Sequence, residues 1–165
     1  MAEQIAGWFV ENLGGIFSPQ VIVFIVSMLP ILELRGGIIA GFLMGLPLHQ
    51  SFIIAFIGNI LPIPFILIFI KYIFKMLRKT PLKSVIDKLE NTAIKKSDSI
   101  KRYAYWGLLI FVGIPLPGTG GWTGALIAVL LNMDLKKSFV AIFFGVFMAG
   151  VLISIFSYGL LGLIM

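Results

Sequence analysis

Apolar residues run almost unbroken from Pro19 to Ile70, and the few residues that interrupt them are unevenly placed. The ionisable side chains in that run are Glu33, Arg35 and His49. The first two lie in Pro30-Ile31-Leu32-Glu33-Leu34-Arg35-Gly36-Gly37, which divides Pro19–Pro47 into two apolar arms, Val21–Leu29 and Gly37–Leu46. At ~1.5 Å per helical residue each arm reaches ~15 Å, half of a ~30 Å hydrocarbon core. Proline and glycine at the division disfavour continuous helix. The pattern predicts a re-entrant helical hairpin, the alternative being one kinked span over 19–46. Leu48–Tyr72 is long enough to cross a bilayer, with Pro62 and Pro64 kinking it and freeing carbonyls near Gly58 and Asn59.

Two segments carry an amphipathic rather than a uniformly apolar pattern. Over residues 3–17, Ile5, Trp8, Phe9, Leu13 and Ile16 share one helical face, with Glu3 and Glu11 off it, which predicts an interfacial helix. Over 80–102, Leu82, Val85, Ile86, Leu89 and Ala93 recur at helical spacing with lysines opposite. That is an amphipathic helix on an anionic inner leaflet, or a solvated linker helix.

The apolar pattern then returns. Shifted by 87 positions without a gap, residues 24–58 lie on 111–145, with identities at Pro30/Pro117, Gly37/Gly124, Ser51/Ser138 and Gly58/Gly145 among others. Leucine and phenylalanine matches come cheaply in apolar sequence; proline, glycine and serine matches at the same punctuation do not. The second copy reads as a hairpin over Tyr103–Leu131 broken at Pro115–Gly121, a turn and cap at Asn132-Met133-Asp134, and a span from Leu135 to about Leu163. A re-entrant hairpin crosses zero times and the following helix once. With a linker that does not cross, the second copy enters from the side opposite the first, giving an inverted repeat.

Composition sets the class. With 59% hydrophobic and 12% charged residues, against about 25% charged in soluble domains, the chain is an integral membrane protein. The expected architecture is all-α, an inverted repeat of two units, each a re-entrant helical hairpin followed by a transmembrane helix, plus amphipathic interfacial helices. It forms one membrane domain over 1–165: interfacial helix 1–18, first repeat 19–79, basic linker helix 80–102, second repeat 103–165. Ten of the thirteen Lys and Arg fall between Lys71 and Arg102, which places the linker in the cytoplasm and both termini outside. The net charge of +6 is therefore a topological signal and not a nucleic-acid one. The start Met1-Ala2-Glu3-Gln4 has no basic n-region, so the N-terminus is read as mature. There is no cysteine, which excludes disulfides and thiolate chemistry.

A guanidinium and a carboxylate at membrane depth cost roughly 2.5–3.5 kcal/mol each by insertion scales unless paired, hydrated or used. Broken helices with ionisable side chains near the midplane are characteristic of transport sites. Inverted hairpins aim their tips at each other, and each tip presents helix N-terminal amides suited to an anion. Arg35 with Gly36 and Gly37 on one side, and Thr119, Gly120, Gly121, Trp122 and Thr123 on the other, form the expected substrate site, plausible for phosphate. Glu33 either neutralises Arg35 or couples protons. Trp122, equivalent in the repeat to Arg35, stacks on substrate, belongs to an interfacial belt or is a packing wedge. Asn59 is a helix–helix hydrogen bond or part of a polar path, and His49 a headgroup-level residue or a proton relay. One histidine and no paired acids beyond Glu33 supply neither a triad nor a metal cluster, so no enzymatic activity, cofactor or metal is expected.

Three motifs resemble the small multi-drug export protein family: Glu33-Leu34-Arg35-Gly36-Gly37-Ile38, Gly58-Asn59-Ile60-Leu61-Pro62-Ile63-Pro64-Phe65, and Pro115-Leu116-Pro117-Gly118-Thr119-Gly120-Gly121-Trp122-Thr123-Gly124-Ala125. The likeness covers roughly residues 20–160. That family is grouped with the DedA/VTT membrane proteins, and the resemblance implies paired re-entrant loops and spans in inverted repeat. DedA relatives are implicated in flipping undecaprenyl phosphate, lipid scrambling and proton-dependent drug tolerance. This chain lacks the intramembrane Asp and the Arg pair of the DedA second half, with Trp122 where a second Arg would stand. The expected function is proton-coupled movement of an anionic amphiphile, such as a lipid-linked phosphate, across the inner membrane. The chain would act as a homodimer among membrane lipids. Export of cationic lipophilic drugs, and a non-transporting membrane organiser or lipid-binding protein, are the alternatives.

Overall fold

The computed structural model describes residues 7–8, 11, 15–77 and 98–160. The expected N-terminal interfacial helix and the linker helix lie almost wholly outside the described residues. All regular structure described is helical: α1 Pro19–Met28, α2 Glu33–Leu43, α3 Leu48–Ile60, α4 Ile63–Leu77, α5 Asp98–Gly113, α6 Gly121–Leu130 and α7 Leu135–Ser154, which runs on into a π-helical segment, Ile155–Leu160.

Proline sets most of the boundaries. Pro19 opens α1 after an extended Ser18. Leu29, which precedes Pro30, is driven out of the helical region to ψ 136° and closes α1. Pro47 caps α3. Pro62 and Pro64 have no N–H for the carbonyls of Gly58 and Ile60, so the ladder breaks between α3 and α4. The backbone nevertheless stays helical through Leu61, at φ −53° and ψ −45°, and Leu48–Ile73 forms one kinked apolar rod of 26 residues. Leu135–Gly159, with 25 residues, is the second. These two are long and apolar enough to cross a membrane, whereas α1, α2 and α6 have 10, 11 and 10 residues.

The helices before each long rod fold back as hairpins. A Cβ on Gly41 would lie 3.3 Å from Val23, and one on Gly36 3.2 Å from Val26, so α1 and α2 run antiparallel and side by side. The break falls at Leu29–Leu32. Gly36 and Gly37 are inside α2, where lacking a side chain lets α1 and α3 approach: a Cβ at Gly37 would sit 3.0 Å from Ala55 and overlap Ser27. α5 begins at Asp98, five residues before the expected start at Tyr103, because backbone hydrogen bonding continues past the end of the apolar pattern.

Backbone detail recurs at the spacing of the sequence repeat. α2 ends with Gly45 at φ 71°, and Leu46 and Gly45 donate to Gly41 and Phe42 carbonyls at 2.9 and 3.0 Å. α6 ends with Asn132 at φ 51°, and Met133 and Asn132 donate to Ala128 and Val129 carbonyls at the same 2.9 and 3.0 Å. Both are Schellman caps, with the left-handed residue and both bonds displaced by 87 positions. The expected cap at Asp134 is present, its carboxylate accepting from Lys137 N at 3.0 Å.

The two long rods cross at aromatic residues. Phe56 and Phe143, which are 87 apart, meet edge to face at 5.0 Å, and Phe52 meets Phe147 at 5.6 Å. Position rises on one rod as it falls on the other, so α3 and α7 are antiparallel. The core between them includes small residues, Ala55, Ala125, Ala128 and Ala141, as close helix packing in a bilayer requires.

A Cβ at Gly58 would stand 2.7 Å from the Phe24 carbonyl oxygen, and one at Gly145 2.8 Å from that of Leu109. Backbone cannot yield as a side chain can. Helix propensity alone predicts that Gly→Ala stabilises by about 0.5–1 kcal/mol. Gly58→Ala and Gly145→Ala are expected to do the reverse, costing about 1–3 kcal/mol. Gly107→Ala, where nothing lies within 4 Å, should show the propensity gain. Thermal unfolding in detergent reads the opposite signs.

Candidate functional site

The loop between α5 and α6 is built to place free backbone groups. Ile114 and Leu116 each precede a proline and cannot continue the helix. Leu116–Thr119 closes as a turn, Thr119 N to Leu116 O at 3.1 Å, with Pro117 second and Gly118 third at φ 83°, the pattern of a type II turn. The Thr119 hydroxyl sits 2.7 Å from the Ile114 and Leu116 carbonyls and accepts from Leu116 N at 3.1 Å. It holds its own loop together. Gly120, at φ 149°, then leads into α6 with no side chain to cap it.

The cap comes from the other half of the chain. Glu33 opens α2 at φ 50°, a left-handed conformation that costs a non-glycine residue about 1–2 kcal/mol. Its Oε2 accepts from Gly121 N and its Oε1 from Trp122 N, both at 3.2 Å. Those are first-turn amides of α6, which no intrahelical carbonyl reaches, and the helix dipole adds a partial positive charge there. The carboxylate is buried, with 5% of its residue surface exposed. Gly120 gives it room, since a Cβ there would overlap the carboxyl group. Gly121 lets Ile63 and Asn59 close in behind, its absent Cβ standing 2.8 and 3.1 Å from them.

Arg35 reaches across the same junction in the opposite chemical sense. Its Nη1 donates to the Leu116 carbonyl and its Nη2 to the Thr119 carbonyl. Glu33 and Arg35 thus take separate partners, one satisfying the orphan amides of α6 and the other binding loop carbonyls, of which that of Leu116 also accepts from Thr119. Among the residues expected at the site, the structure brings together Glu33, Arg35, Thr119, Gly120, Gly121 and Trp122. Thr123 completes the same first turn of α6, its hydroxyl 3.4 Å from the Gly120 carbonyl. Gly36 and Gly37 are turned to packing, and Gly36 N already donates to Leu32 O at 2.8 Å. Asn59, fully buried, donates to Ser27 O at 3.2 Å, and its Oδ1 has no partner. The Trp122 indole N–H is likewise buried and unpartnered. Trp122 lines an apolar cavity of about 620 Å³ together with Met28, Phe65, Ile66 and Phe69. His49 stands apart, exposed at the far end of α3 from Asn59, about 15 Å along the helix.

Two features escaped the sequence reading. The capping of α6 by Glu33 had one available signal: no Ser, Thr, Asp or Asn stands at position 120 to do that job locally. The other is Tyr158, whose hydroxyl donates to the Leu46 carbonyl at 2.8 Å and lies 2.6 Å from Ser51 Oγ. It ties the end of the second rod to the end of α2, and nothing in the apolar tail marks it.

Removing the Glu33 acceptor leaves buried amides without partners, at about 1–3 kcal/mol for each group. Glu33→Ala is expected to lower stability by about 2–4 kcal/mol and Glu33→Gln, which keeps one carbonyl oxygen, by about half that. Thermal unfolding in detergent checks the order. Equal and negligible effects would mean the carboxylate is not the cap.

A family model described as "Putative small multi-drug export protein" matches residues 33–152, from the Glu33 carboxylate to the last turn of α7. No curated protein and no solved structure matches the chain.

Proposed function

The chain belongs to the small multi-drug export protein family, and from that membership we propose that it is a membrane transporter whose site is the junction of the two tips. Each unit is a re-entrant hairpin followed by one spanning helix, and the second is inserted from the side opposite the first. The short lengths of α1, α2 and α6, and of the apolar part of α5 over Tyr103–Gly113, support the first statement. The antiparallel crossing at Phe56 and Phe143 supports the second, because equivalent residues touch where a two-fold axis runs. The linker over 80–102 faces the cytoplasm and both termini face outward across an inner membrane, as the positive-inside rule directs.

The observation that carries the site is the Glu33 carboxylate on the amides of Gly121 and Trp122. Those amides already hold an oxyanion, so the donors, the dipole and the space for one are in place. An anionic head group takes them when Glu33 withdraws, and Arg35, freed from the loop carbonyls, supplies a charged fork to the same group. Glu33, displaced, carries the coupled proton. The apolar cavity beside Trp122 receives the tail. The cargo is an anionic amphiphile such as undecaprenyl phosphate, and no bond is made or broken in it, so the chain is not an enzyme. Lipids, protons and a second copy of the chain are its partners, since so few spans enclose little volume.

The family's description favours a second reading, export of lipophilic cations, with Glu33 as counter-charge and Trp122 as an aromatic wall. Purified full-length chain in liposomes separates the two. With a fluorescent short-chain polyprenyl phosphate as probe, the wild-type chain is expected to accelerate flipping over empty liposomes. Arg35→Ala should slow it roughly tenfold to a hundredfold, the worth of a lost charged hydrogen bond of about 1.5–3 kcal/mol. Glu33→Gln should flip without responding to a pH gradient. No flipping, together with ethidium efflux that depends on Glu33, would replace the first reading by the second. Indifference of both assays to both substitutions would leave the membrane-organiser reading.

A further inference from the structure

Away from the tips, a groove of about 520 Å³ runs between α5 and the first half of α7. Its walls are Tyr105, Trp106, Leu109, Val140 and Phe144, and Lys136 and Lys137 stand where α7 begins. From the lysines to Phe144 the groove extends about 12 Å along the helix. Its rim faces outward, with Trp106 65% and Phe144 54% exposed. An exposed apolar trough with two cations at one end has the polarity of a single amphiphile lying in it.

The lysines are not placed there for the helix. Ammonium groups in a first turn oppose the helix dipole, which favours anions at that end. Asp134, the nearest acid in sequence, spends an oxygen on Lys137 N at 3.0 Å. Among the described residues no carboxylate forms an ion pair with either ammonium. Lys137 Nζ lies 6.0 Å from the centre of the Tyr105 ring, and the Tyr105 hydroxyl in turn accepts from Asp134 N at 3.2 Å. The aromatic wall is thereby fixed beneath the charge. A second copy of this chain on the same face would bring its own lysines against these, so like charge argues against that occupant.

We propose that this groove is a binding site for one anionic glycerophospholipid. An acyl chain lies along Leu109, Val140 and Phe144, and the phosphate sits between Lys136 and Lys137 at the level of the Trp106 indole, where tryptophan favours the head-group region. The site lies on α5 and α7, away from Glu33 and Arg35, and holds whether or not the tips transport anything.

The test is quenching of Trp106 by lipids brominated on the acyl chain. Full-length chain is reconstituted in bilayers containing brominated phosphatidylglycerol or brominated phosphatidylcholine at equal mole fraction, and Trp106→Phe reports the share of Trp8 and Trp122. Each lysine near an anionic head group is worth roughly a fivefold preference. The Trp106 signal should therefore be quenched at a lower fraction of phosphatidylglycerol than of phosphatidylcholine. Lys136→Gln with Lys137→Gln should abolish the difference, and Lys136→Arg with Lys137→Arg should retain it. Equal quenching by the two lipids in the unmodified chain overturns the proposal without need of any variant, leaving ordinary annular contact. A preference that survives in the glutamine variant overturns it too.

Discussion

Breaking a helix strands backbone groups that its own ladder would otherwise pair, and the crossed contacts of Glu33 and Arg35 answer that problem. The loop before α6 exposes carbonyls at Leu116 and Thr119, and the start of α6 exposes amides at Gly121 and Trp122. An acceptor-only carboxylate suits the unpaired amides and a donor-only guanidinium suits the carbonyls, so the two do not compete for the same partner. Both come from one turn of α2. Each charge is thereby held by backbone dipoles of the facing unit, and the other features of the junction follow from giving them access.

That access accounts for the difference between positions 87 apart at the tips, whereas the caps share one backbone geometry. Glu33 and Gly120 are equivalent positions, and they touch. Where two equivalent positions meet, identical side chains would occupy the same space, and two carboxylates would also repel. One copy carries the acid; the other carries nothing at all. Arg35 and Trp122 are similarly equivalent, one spent on the opposite loop's carbonyls and the other presenting its ring to an apolar cavity. Away from the contact, Gly45 and Asn132 reproduce the same cap with different residues, because there only the left-handed backbone matters.

The parts legible beforehand are those written in local chemistry. Pro30, Pro47, Pro62 and the Pro115–Pro117 pair mark breaks because proline acts on its own neighbours. The 87-residue spacing is visible because glycine and serine identities fall at the same punctuation. The partners of Glu33 and Arg35 are not legible in this way, since they lie 81 to 89 residues away and are backbone atoms, identical in every residue type. The left-handed turn at Glu33 has no residue signature either. Gly36 and Gly37 suggest a flexible tip, yet the conformational strain sits three residues earlier, on a glutamate. Glycine there served packing, which sequence cannot tell from turning.

The contacts within a unit and those between units differ in kind, and the difference bears on how the junction opens on a transport reading. Within each unit, glycines press against backbone carbonyls, Gly58 on Phe24 and Gly145 on Leu109, and such contacts cannot slide without clashing. Between units the crossing is made by edge-to-face rings, Phe52, Phe56, Phe143 and Phe147, whose shallow preference for any one offset permits small rotations. Four charge-assisted hydrogen bonds then hold the tips in register across that crossing. A rigid-body rocking of one unit against the other about the phenylalanine contact would break those four bonds, and must also release or carry along the Tyr158 tie to Leu46 and Ser51, while leaving each unit's packing whole. The ligand able to compensate the loss must offer acceptors to the amides of α6 and to Arg35 together, as an oxyanion with more than one free oxygen does.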